Sequence, residues 1–380
     1  EQVATQRAAT SAELGSDVYI VDAETGELLW SLKNRASEAY ALVDSVPGDI
    51  RVLDMDNNGE LDRLYFADTG GNIWRVDLVS AFDNSSGNVA FSQQTKLTHF
   101  AALGEGTADG DQRKFFYEPD TALRLSNGVP VMTLSIGSGY RTHPLDIGDN
   151  DHFFVLREKD ANVFKAPESN DSYYPITHSD LMESSVLRQT GESILQQTDK
   201  KGWFYPLAHH GEKVLASSMT FLDKVLFTTF AVADESGNDV VVEACAPGTT
   251  TSRAYVLDLL TSQPVANLDR EETVSGSGET LVSNDDFMVA GFNEILDAPQ
   301  LIFSELTSAD GGACEVGDCQ QSVSVRIGKL NIPLLDLDNT LNTQDANYSE
   351  MVDLTRLLPR LYWRDDGVDG SSKVEGATPQ

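Results

Sequence analysis

The stretch RLYFADTGGNIWRVDL, residues 63–78, decides the fold that this sequence predicts. Two apolar runs flank a polar, glycine-containing turn at residues 68–71, and this arrangement is typical of a β-hairpin. The stretch VYIVDAETGELLW, residues 18–30, follows the same plan, and residues 152–158 and 253–260 resemble its first half. Because strand-and-turn phrases recur along the chain, we predict an all-β protein built from short strands.

An acidic loop, DMDNNGELD at residues 54–62, directly precedes the hairpin. Oxygen-bearing side chains stand at loop positions 1, 3, 5 and 9, with glycine at position 6, which is the spacing of the first half of an EF-hand calcium loop. The predicted Ca²⁺ ligands are the side chains of Asp54, Asp56 and Asn58, the backbone carbonyl oxygen of Glu60, and Asp62, directly or through water. Gly59 allows the sharp turn that folds the loop around the ion.

The alternative is an acidic surface turn without a metal, since aspartate, asparagine and glycine also form plain turns. Against it, Leu53 and Leu61 tie the loop to a core, and its four acidic side chains repel one another unless a cation binds. Position 12 is Tyr65 instead of the bidentate glutamate of an EF-hand, so we expect a shortened loop of nine residues. Mg²⁺ is a poorer match because it keeps several waters and uses fewer carboxylates.

Recurrence of strand-and-turn phrases at intervals of tens of residues is typical of a β-propeller, whose radial repetition leaves only short strand edges. At about 50 residues per blade, a chain of 380 residues has room for about seven blades. The expected domain covers residues 1–363, and residues 364–380, rich in Gly, Ser and Asp, are expected to form a flexible tail. Residues 181–197 are expected to hold one short helix. A pair of two-sheet sandwiches is the structural alternative.

The phrase Ala-x-x-Gly-x-x-x-Trp at residues 23–30 resembles the repeat of quinoprotein propellers. In that repeat the tryptophan packs between neighbouring blades, so Trp30 and Trp74 are expected in the core rather than against a ligand. The expected fold class is therefore an all-β, seven-bladed β-propeller of quinoprotein-like blades with an inserted calcium-binding loop.

The chain is strongly acidic, because 60 Asp and Glu residues against 27 Lys and Arg give a net charge of −33. Nucleic-acid binding is disfavoured, since phosphate contacts need clustered Lys and Arg, and so is attachment to an anionic membrane. Divalent cations and basic partners are the natural complements. No apolar run approaches the roughly 18 residues of a transmembrane helix, so membrane insertion is not expected. The first residues, EQVAT, contain neither an initiating methionine nor a signal peptide, so we expect a fragment or a processed chain.

Three cysteines are present. Cys314 and Cys319 enclose a short acidic turn, and we expect a disulfide between them, which suits an exported protein. Zinc is a poorer match, because no Cys-x-x-Cys motif or histidine pair completes a set of four ligands. Cys245 lies in an apolar stretch and is expected to be a buried thiol.

Several motifs follow one another in a characteristic order. A quinoprotein-like blade phrase comes first, then Asp-x-Asp-x-Asn-Gly-x-Leu-Asp, then the hairpin at residues 63–78. Further on are the stretch GSGYRTHPL at residues 137–145 and a strand at residues 151–157, a glycine-rich Arg-x-His-Pro strand pair. This order resembles the C-terminal domain of the PilY/PilC family of type IV pilus-tip adhesins. The resemblance covers roughly residues 14–270 and is weak beyond them.

The resemblance implies a secreted protein of the bacterial cell surface, at the tip of the type IV pilus (a fimbrium) or at the outer membrane. It implies a part in pilus biogenesis, with Ca²⁺ occupancy supporting pilus extension against retraction and hence twitching motility, and a part in cell adhesion and virulence. The implied partners are type IV pilus subunits or minor pilins, and host-cell or abiotic surfaces. The family's calcium ligands fall on the same five positions that the loop spacing predicts.

Quinoprotein dehydrogenases share this type of propeller, so an oxidoreductase is one alternative function. Their chemistry needs a quinone over the central channel, a Ca²⁺ beside it and an aspartate base. They commonly carry an adjacent cysteine pair, which this sequence lacks. We therefore expect no enzymatic activity and no catalytic residues. A host-receptor adhesin in which calcium is purely structural is the other alternative.

Overall fold

The computed structural model describes residues 14–32, 42–59, 61–78, 95–104, 112–232, 250–265, 268, 286–303, 307–308, 319–320, 323–328 and 330–333. Within these ranges the chain forms 22 β-strands, one α-helix and three single-turn 3-10 helices. The 3-10 helices are Asp160–Asn162, His178–Asp180 and Ile194–Gln196. The prediction of an all-β protein is confirmed.

The first five-stranded sheet carries the acidic loop. Before it, β1 (Tyr19–Val21) and β2 (Leu28–Ser31) form an antiparallel hairpin. The strands of the sheet are β3 (Arg51–Leu53), β4 (Arg63–Ala67), β5 (Asn72–Leu78), β6 (Thr95–Ala102) and the short β10 (Ile176–Thr177). The first four form an antiparallel meander, and β10 pairs in parallel with β6. The hairpin predicted at residues 63–78 is therefore β4 and β5.

The second five-stranded sheet repeats this plan. Its strands are β7 (Asp120–Ser126), β8 (Val129–Gly137), β9 (His152–Arg157), β12 (Gly202–Pro206) and the short β11 (Met182–Glu183). The first four again form an antiparallel meander, and β11 pairs in parallel with β12. Helix α1 (Ser184–Thr190) follows β11 and ends at Gly191, whose φ is 66°, so the short helix predicted within residues 181–197 is confirmed.

A third five-stranded sheet and two smaller sheets complete the described chain. The third sheet consists of β13 (Lys213–Val214), β14 (Met219–Phe221), β15 (Lys224–Ala231), β16 (Thr251–Asp258) and β17 (Phe287–Phe292). Both β13 and β14 pair with one edge of β15, and β16 pairs with the other edge. The smaller sheets are formed by β18 (Gln300–Phe303), β21 (Val323–Ile327) and β22 (Leu330–Pro333), and by β19 (Thr307–Ser308) and β20 (Cys319–Gln320).

The core lies on both faces of the first five-stranded sheet. Alternation along β4 sends successive side chains to opposite faces. Leu64 and Phe66 pack with Trp30 and Trp74 in one buried cluster, while Tyr65 faces a second cluster that includes side chains of β8 and β9. Trp30 and Trp74 are only 3% and 1% exposed, so the expectation that both tryptophans pack in the core is confirmed.

The finer expectations about architecture go beyond what the described residues show. Their sheets contain two, five, five, five, three and two strands, and within the described ranges they do not close into a ring of seven blades. Local strand-and-turn phrases determine hairpins, whereas the number of blades depends on long-range pairing. The predicted domain limit at residue 363 and the tail at residues 364–380 lie outside the described residues. In the described ranges no helix is long and apolar enough to cross a membrane.

Candidate metal site

The acidic loop at residues 54–62 connects β3 to β4 and is tied back to the sheet at its end. The Asp62 N–H donates to the Leu53 carbonyl oxygen at 2.9 Å. The chain reverses through two residues in the left-handed region, Asn57 with a φ of 61° and Gly59 with a φ of 87°. No neighbouring atom crowds the position of a Cβ at Gly59, so it is the backbone conformation that favours glycine there.

The loop brings together the carboxylates of Asp54, Asp56 and Asp62, each of which places one oxygen within 4.8 Å of the others. The Asn58 N–H donates to Asp54 at 3.2 Å and to Asp56 at 3.1 Å, and the Asn58 side-chain amide donates to Asp56 at 3.0 Å. Asn58 therefore lies beside the carboxylates, as its predicted role as a ligand requires. Glu60 lies outside the described residues.

Asp62 differs from the other loop carboxylates because it is fully buried. Its Oδ2 accepts hydrogen bonds from the N–H groups of Met55, at 2.5 Å, and Asp56, at 3.2 Å. Its Oδ1 is buried and has no hydrogen-bond partner among the described residues. Burial raises the pKa of Asp62, and repulsion from Asp56 and Asp54 acts in the same direction, while the two hydrogen bonds oppose it. A buried oxygen without a partner is costly, so this donor set fits a hard cation.

Two buried arginines follow the loop in the sheet, but both are already paired. The buried charge cluster consists of Arg63, Arg75, Asp77 and Glu158, whose side chains are all 0% exposed. Arg63 Nε lies 2.8 Å from Asp77 Oδ1, and Arg75 Nε lies 2.8 Å from Asp77 Oδ2. Arg75 Nη1 lies 2.5 Å from Glu158 Oε2. Two positive charges balance two negative ones, so the cluster leaves no positive charge over for the loop carboxylates.

Sequence reasoning missed this cluster, although one signal was present. Arg63 and Tyr65 alternate on β4, Arg75 and Asp77 alternate on β5, and Arg63 lies opposite Asp77. Alternating polar residues on adjacent strands also occur in a sheet with one solvated face. The partner that completes the cluster is Glu158, which follows β9 far along the chain and pairs with Arg75.

Sequence reasoning also missed a second acidic turn, which a lysine holds in place. We call residues 144–151 the lysine-held turn. The Lys213 ammonium donates to the carbonyl oxygens of Pro144 at 3.2 Å, Asp146 at 2.5 Å and Gly211 at 2.6 Å. Burial lowers the pKa of Lys213, and the carboxylates of Asp151, Asp146 and Asp149 act in the opposite direction. The three carbonyl oxygens hold the ammonium in place, so a cation of the protein itself lies beside the carboxylates of this turn.

A serine, an aspartate and two histidines meet close to that turn. The Ser138 hydroxyl donates to Asp151 Oδ1 at 2.6 Å, and His152 Nδ1 lies 3.3 Å from His178 Nε2. Burial, reinforced by Arg113, lowers the pKa of His152 to about 2, so this imidazole is neutral. The hydroxyl is bonded to a carboxylate rather than to an imidazole, which is not the arrangement that activates a serine nucleophile.

The predicted disulfide falls outside the part of the chain that can be assessed. Cys314 and Cys245 are not among the described residues, and only the backbone of Cys319 is described, in β20. The bridge between Cys314 and Cys319 therefore stays a prediction, as does the buried thiol of Cys245.

No model of a protein family matches the chain, and no curated protein matches it in sequence. Among solved structures, the C-terminal domain of Pseudomonas aeruginosa PilY1 matches with a TM-score of 0.53 at 16% sequence identity. The match covers 85% of this chain and 67% of that chain. This chain therefore shares the fold of the PilY1 C-terminal domain.

Proposed function

We propose that this chain is a calcium-binding, non-enzymatic domain that acts in type IV pilus biogenesis and tip adhesion. The observation that carries the calcium part is Asp62 Oδ1, a buried carboxylate oxygen without a hydrogen-bond partner among the described residues. The fold shared with the PilY1 C-terminal domain and the order of sequence motifs support the pilus part.

The charge balance around the loop supports a bound cation. Asp54, Asp56 and Asp62 hold carboxylate oxygens within 4.8 Å of one another, and the nearest buried arginines are neutralised by Asp77 and Glu158. Like charges at such distances repel, and a divalent cation with oxygen ligands removes that repulsion. In this proposal Asn58 and the Glu60 carbonyl supply further oxygens, and the bound ion neutralises and orders the loop that joins β3 to β4.

The remaining parts of the proposal follow from the family resemblance. The domain acts at the bacterial cell surface, at the pilus tip or the outer membrane, and its meanders belong to a seven-bladed β-propeller. Its partners are pilus subunits or minor pilins, with host-cell or abiotic surfaces as adhesion targets. Calcium occupancy supports pilus extension against retraction. The net charge of −33 suits divalent cations and basic partner surfaces.

The packing of buried titratable groups supports a non-enzymatic role. Glu212 accepts hydrogen bonds from the Thr229 hydroxyl at 2.5 Å and the Tyr255 hydroxyl at 2.9 Å. Asp151 is likewise bonded to Ser138. These groups are buried and hydrogen-bonded to one another, whereas catalytic groups need access to a substrate.

Calorimetric titration of the chelator-treated protein tests the calcium site. We expect one saturable Ca²⁺ site in the wild type and a site weakened at least about tenfold, roughly 1.4 kcal/mol, in Asp62→Asn. The matched control is Asp146→Asn, which changes an aspartate of the lysine-held turn and should leave Ca²⁺ binding unchanged. Equal binding by wild type and Asp62→Asn, or no binding by either, would contradict the proposal.

The pilus role is tested separately in cells of the source organism. We expect fewer surface pili and less twitching when the full-length protein carries Asp62→Asn, and normal pili with Asp146→Asn. Normal piliation and motility in the Asp62→Asn strain, with the protein present at its usual level, would contradict a calcium-dependent role in pilus extension even if calcium binds.

A further inference from the structure

The acidic loop and the buried charge cluster are consecutive in the chain. Asp62 is the last residue of the loop, and Arg63 is the first residue of β4. The Asp62 backbone is bonded on both sides, because its N–H donates to the Leu53 carbonyl at 2.9 Å and its carbonyl accepts from the Leu78 N–H at 2.8 Å. A shift of Asp62 would therefore move the Cα atom from which the Arg63 side chain extends.

We propose that the buried charge cluster couples the ion state of the acidic loop to the crossing segment, residues 158–175, which leads from β9 to β10. This inference rests on the proposed calcium site and names a structural response that the site controls. Arg63 and Arg75 act as positioning residues for the crossing segment.

Hydrogen bonds from these arginines hold the crossing segment to the first five-stranded sheet. Arg63 Nη1 donates to the Val163 carbonyl at 2.9 Å. Arg75 Nη2 donates to the carbonyl oxygens of Asn162 at 3.1 Å and Lys165 at 2.7 Å. At these residues, guanidinium groups of the sheet bind the backbone of the crossing segment, and no strand pairing is involved.

Two tyrosines connect the same segment to the cluster. The Tyr65 hydroxyl, on β4, donates to Glu158 Oε2 at 3.0 Å, and the Tyr174 hydroxyl donates to Glu158 Oε1. Just beyond Tyr174, β10 returns to the first sheet and pairs with β6, with Ile176 opposite Ala101. The crossing segment therefore leaves the second sheet at Glu158 and rejoins the first sheet at β10, and the charge cluster fixes both ends.

The physical basis of the coupling is the directional nature of buried charged hydrogen bonds. In a dry environment such bonds are strong when aligned and lose much of their energy when one group shifts. A loop with repelling carboxylates leaves the start of β4 less ordered, and a bound ion orders it. Ordering at one site lowers the entropic cost of ordering at the other, and the coupling acts equally in both directions.

Hydrogen exchange of the whole chain, with and without Ca²⁺, tests this coupling. In the wild type we expect Ca²⁺ to slow exchange both in the acidic loop and in the crossing segment, and in Asp62→Asn, at the same Ca²⁺ concentration, to slow exchange less in both. Protection confined to the loop overturns the coupling and leaves the calcium site intact. Absence of protection in both, with no binding in the titration, overturns the calcium site and the coupling together.

A pair of neighbouring tyrosines provides a test in the reverse direction. Tyr174→Phe removes the hydroxyl that binds Glu158, while Tyr173→Phe removes a hydroxyl that donates to the Arg157 carbonyl at 2.7 Å, outside the cluster. We expect Tyr174→Phe to weaken Ca²⁺ affinity about fivefold and Tyr173→Phe to leave it unchanged. Equal affinities in the two variants, whether weakened or not, overturn the coupling. Tyr65→Phe, which removes the other hydroxyl on Glu158, should reproduce the effect of Tyr174→Phe.

Discussion

The acidic loop at residues 54–62 and the lysine-held turn at residues 144–151 each bury an aspartate carboxylate, but the charges around that carboxylate differ. Each ends in a buried aspartate directly before a strand, Asp62 before β4 and Asp151 before β9. Each aspartate leaves one oxygen without a hydrogen-bond partner among the described residues. Burial raises the pKa of both carboxyls, that of Asp151 to about 6.

The difference lies in the charges that surround the two aspartates. Lys213 and Arg113 lower the pKa of Asp151, whereas the charges acting on Asp62 come from Asp56 and Asp54 and raise it. The lysine-held turn thus lies beside a cation of the protein, Lys213, whereas the proposed calcium site would take its cation from solution. An acidic turn is therefore a candidate metal site only when the folded protein supplies no cation of its own.

The largest effect is expected from removing the internal cation. Lys213→Met deletes the ammonium that three carbonyl oxygens share and leaves Asp151 without its main counter-charge. We expect the free energy of unfolding to fall by about 3 kcal/mol, measured by urea denaturation.

The control for that variant is Lys200→Met, which removes a lysine that donates to the Ser179 carbonyl at the surface. Its expected cost is below about 0.5 kcal/mol. If Lys213→Met unfolds at the same urea concentration as Lys200→Met, the lysine does not hold the turn and the contrast between the two turns is wrong.

The next largest effect is expected from adding Ca²⁺, which should act on the acidic loop. At a free Ca²⁺ concentration of about 100 times the dissociation constant, binding to the folded state alone adds about 2.7 kcal/mol to the free energy of unfolding. We expect that gain in the wild type and in Asp146→Asn, and no more than about 1.4 kcal/mol in Asp62→Asn, whose site is at least about tenfold weaker. Thermal or urea unfolding with Ca²⁺ and with chelator measures it, and an equal gain in all three proteins would place the ion elsewhere.

The sequence could predict those features of the two turns that depend on residues close together in the chain. The alternating residues of Arg63–Ala67 predict the strand that the structure contains. The spacing of Asp54, Asp56 and Asp62 predicts that the three carboxylates meet, and they do. Hairpins and short loops are closed by residues that are neighbours in the chain, so their geometry follows from local patterns.

The rest depends on residues that are distant in the chain. Lys213 reaches the lysine-held turn across 67 residues, and Arg75 reaches Glu158 across 83. No local pattern predicts which acidic turn meets a remote cation. The two-residue strands β10 and β11 are also too short for their alternation to be recognised, and they are formed because the chain between them links two sheets.

The pH dependence of stability should distinguish the two aspartates. The folded-state pKa of Asp151 is raised from 3.8 to about 6, so the folded protein holds that proton more tightly than the unfolded chain. Its contribution to stability is present at low pH and is lost as pH rises from about 4 to about 6. Asp151→Asn should flatten urea midpoints over this range whether or not Ca²⁺ is present. Some slope should remain, because burial also raises the pKa of Asp68 to about 6.

The pH response of Asp62 should differ from that of Asp151 because Ca²⁺ also takes part in it. Its pKa is raised in the ion-free protein, and Ca²⁺ competes with the proton for the carboxylate. The stabilisation by Ca²⁺ should therefore shrink as pH falls, and this trend should disappear in Asp62→Asn but persist in Asp151→Asn. A calcium effect that stays constant between pH 4 and pH 7 would mean that Asp62 is not a ligand.

The smallest effect is expected from the glycines of the two turns. Gly59 has a φ of 87°, whereas Gly148 has no left-handed φ. A Cβ at Gly148 would lie 3.3 Å from Asp146 Oδ1. Gly59→Ala should cost about 1 kcal/mol of folding free energy and weaken Ca²⁺ binding, whereas Gly148→Ala should cost less than about 0.5 kcal/mol and leave binding unchanged. Gly26→Ala, at a φ of 72° in the β1–β2 hairpin, should cost as much as Gly59→Ala without affecting Ca²⁺. If Gly26→Ala weakens Ca²⁺ binding to the same extent, the effect of Gly59→Ala reflects general destabilisation rather than the shape of the acidic loop.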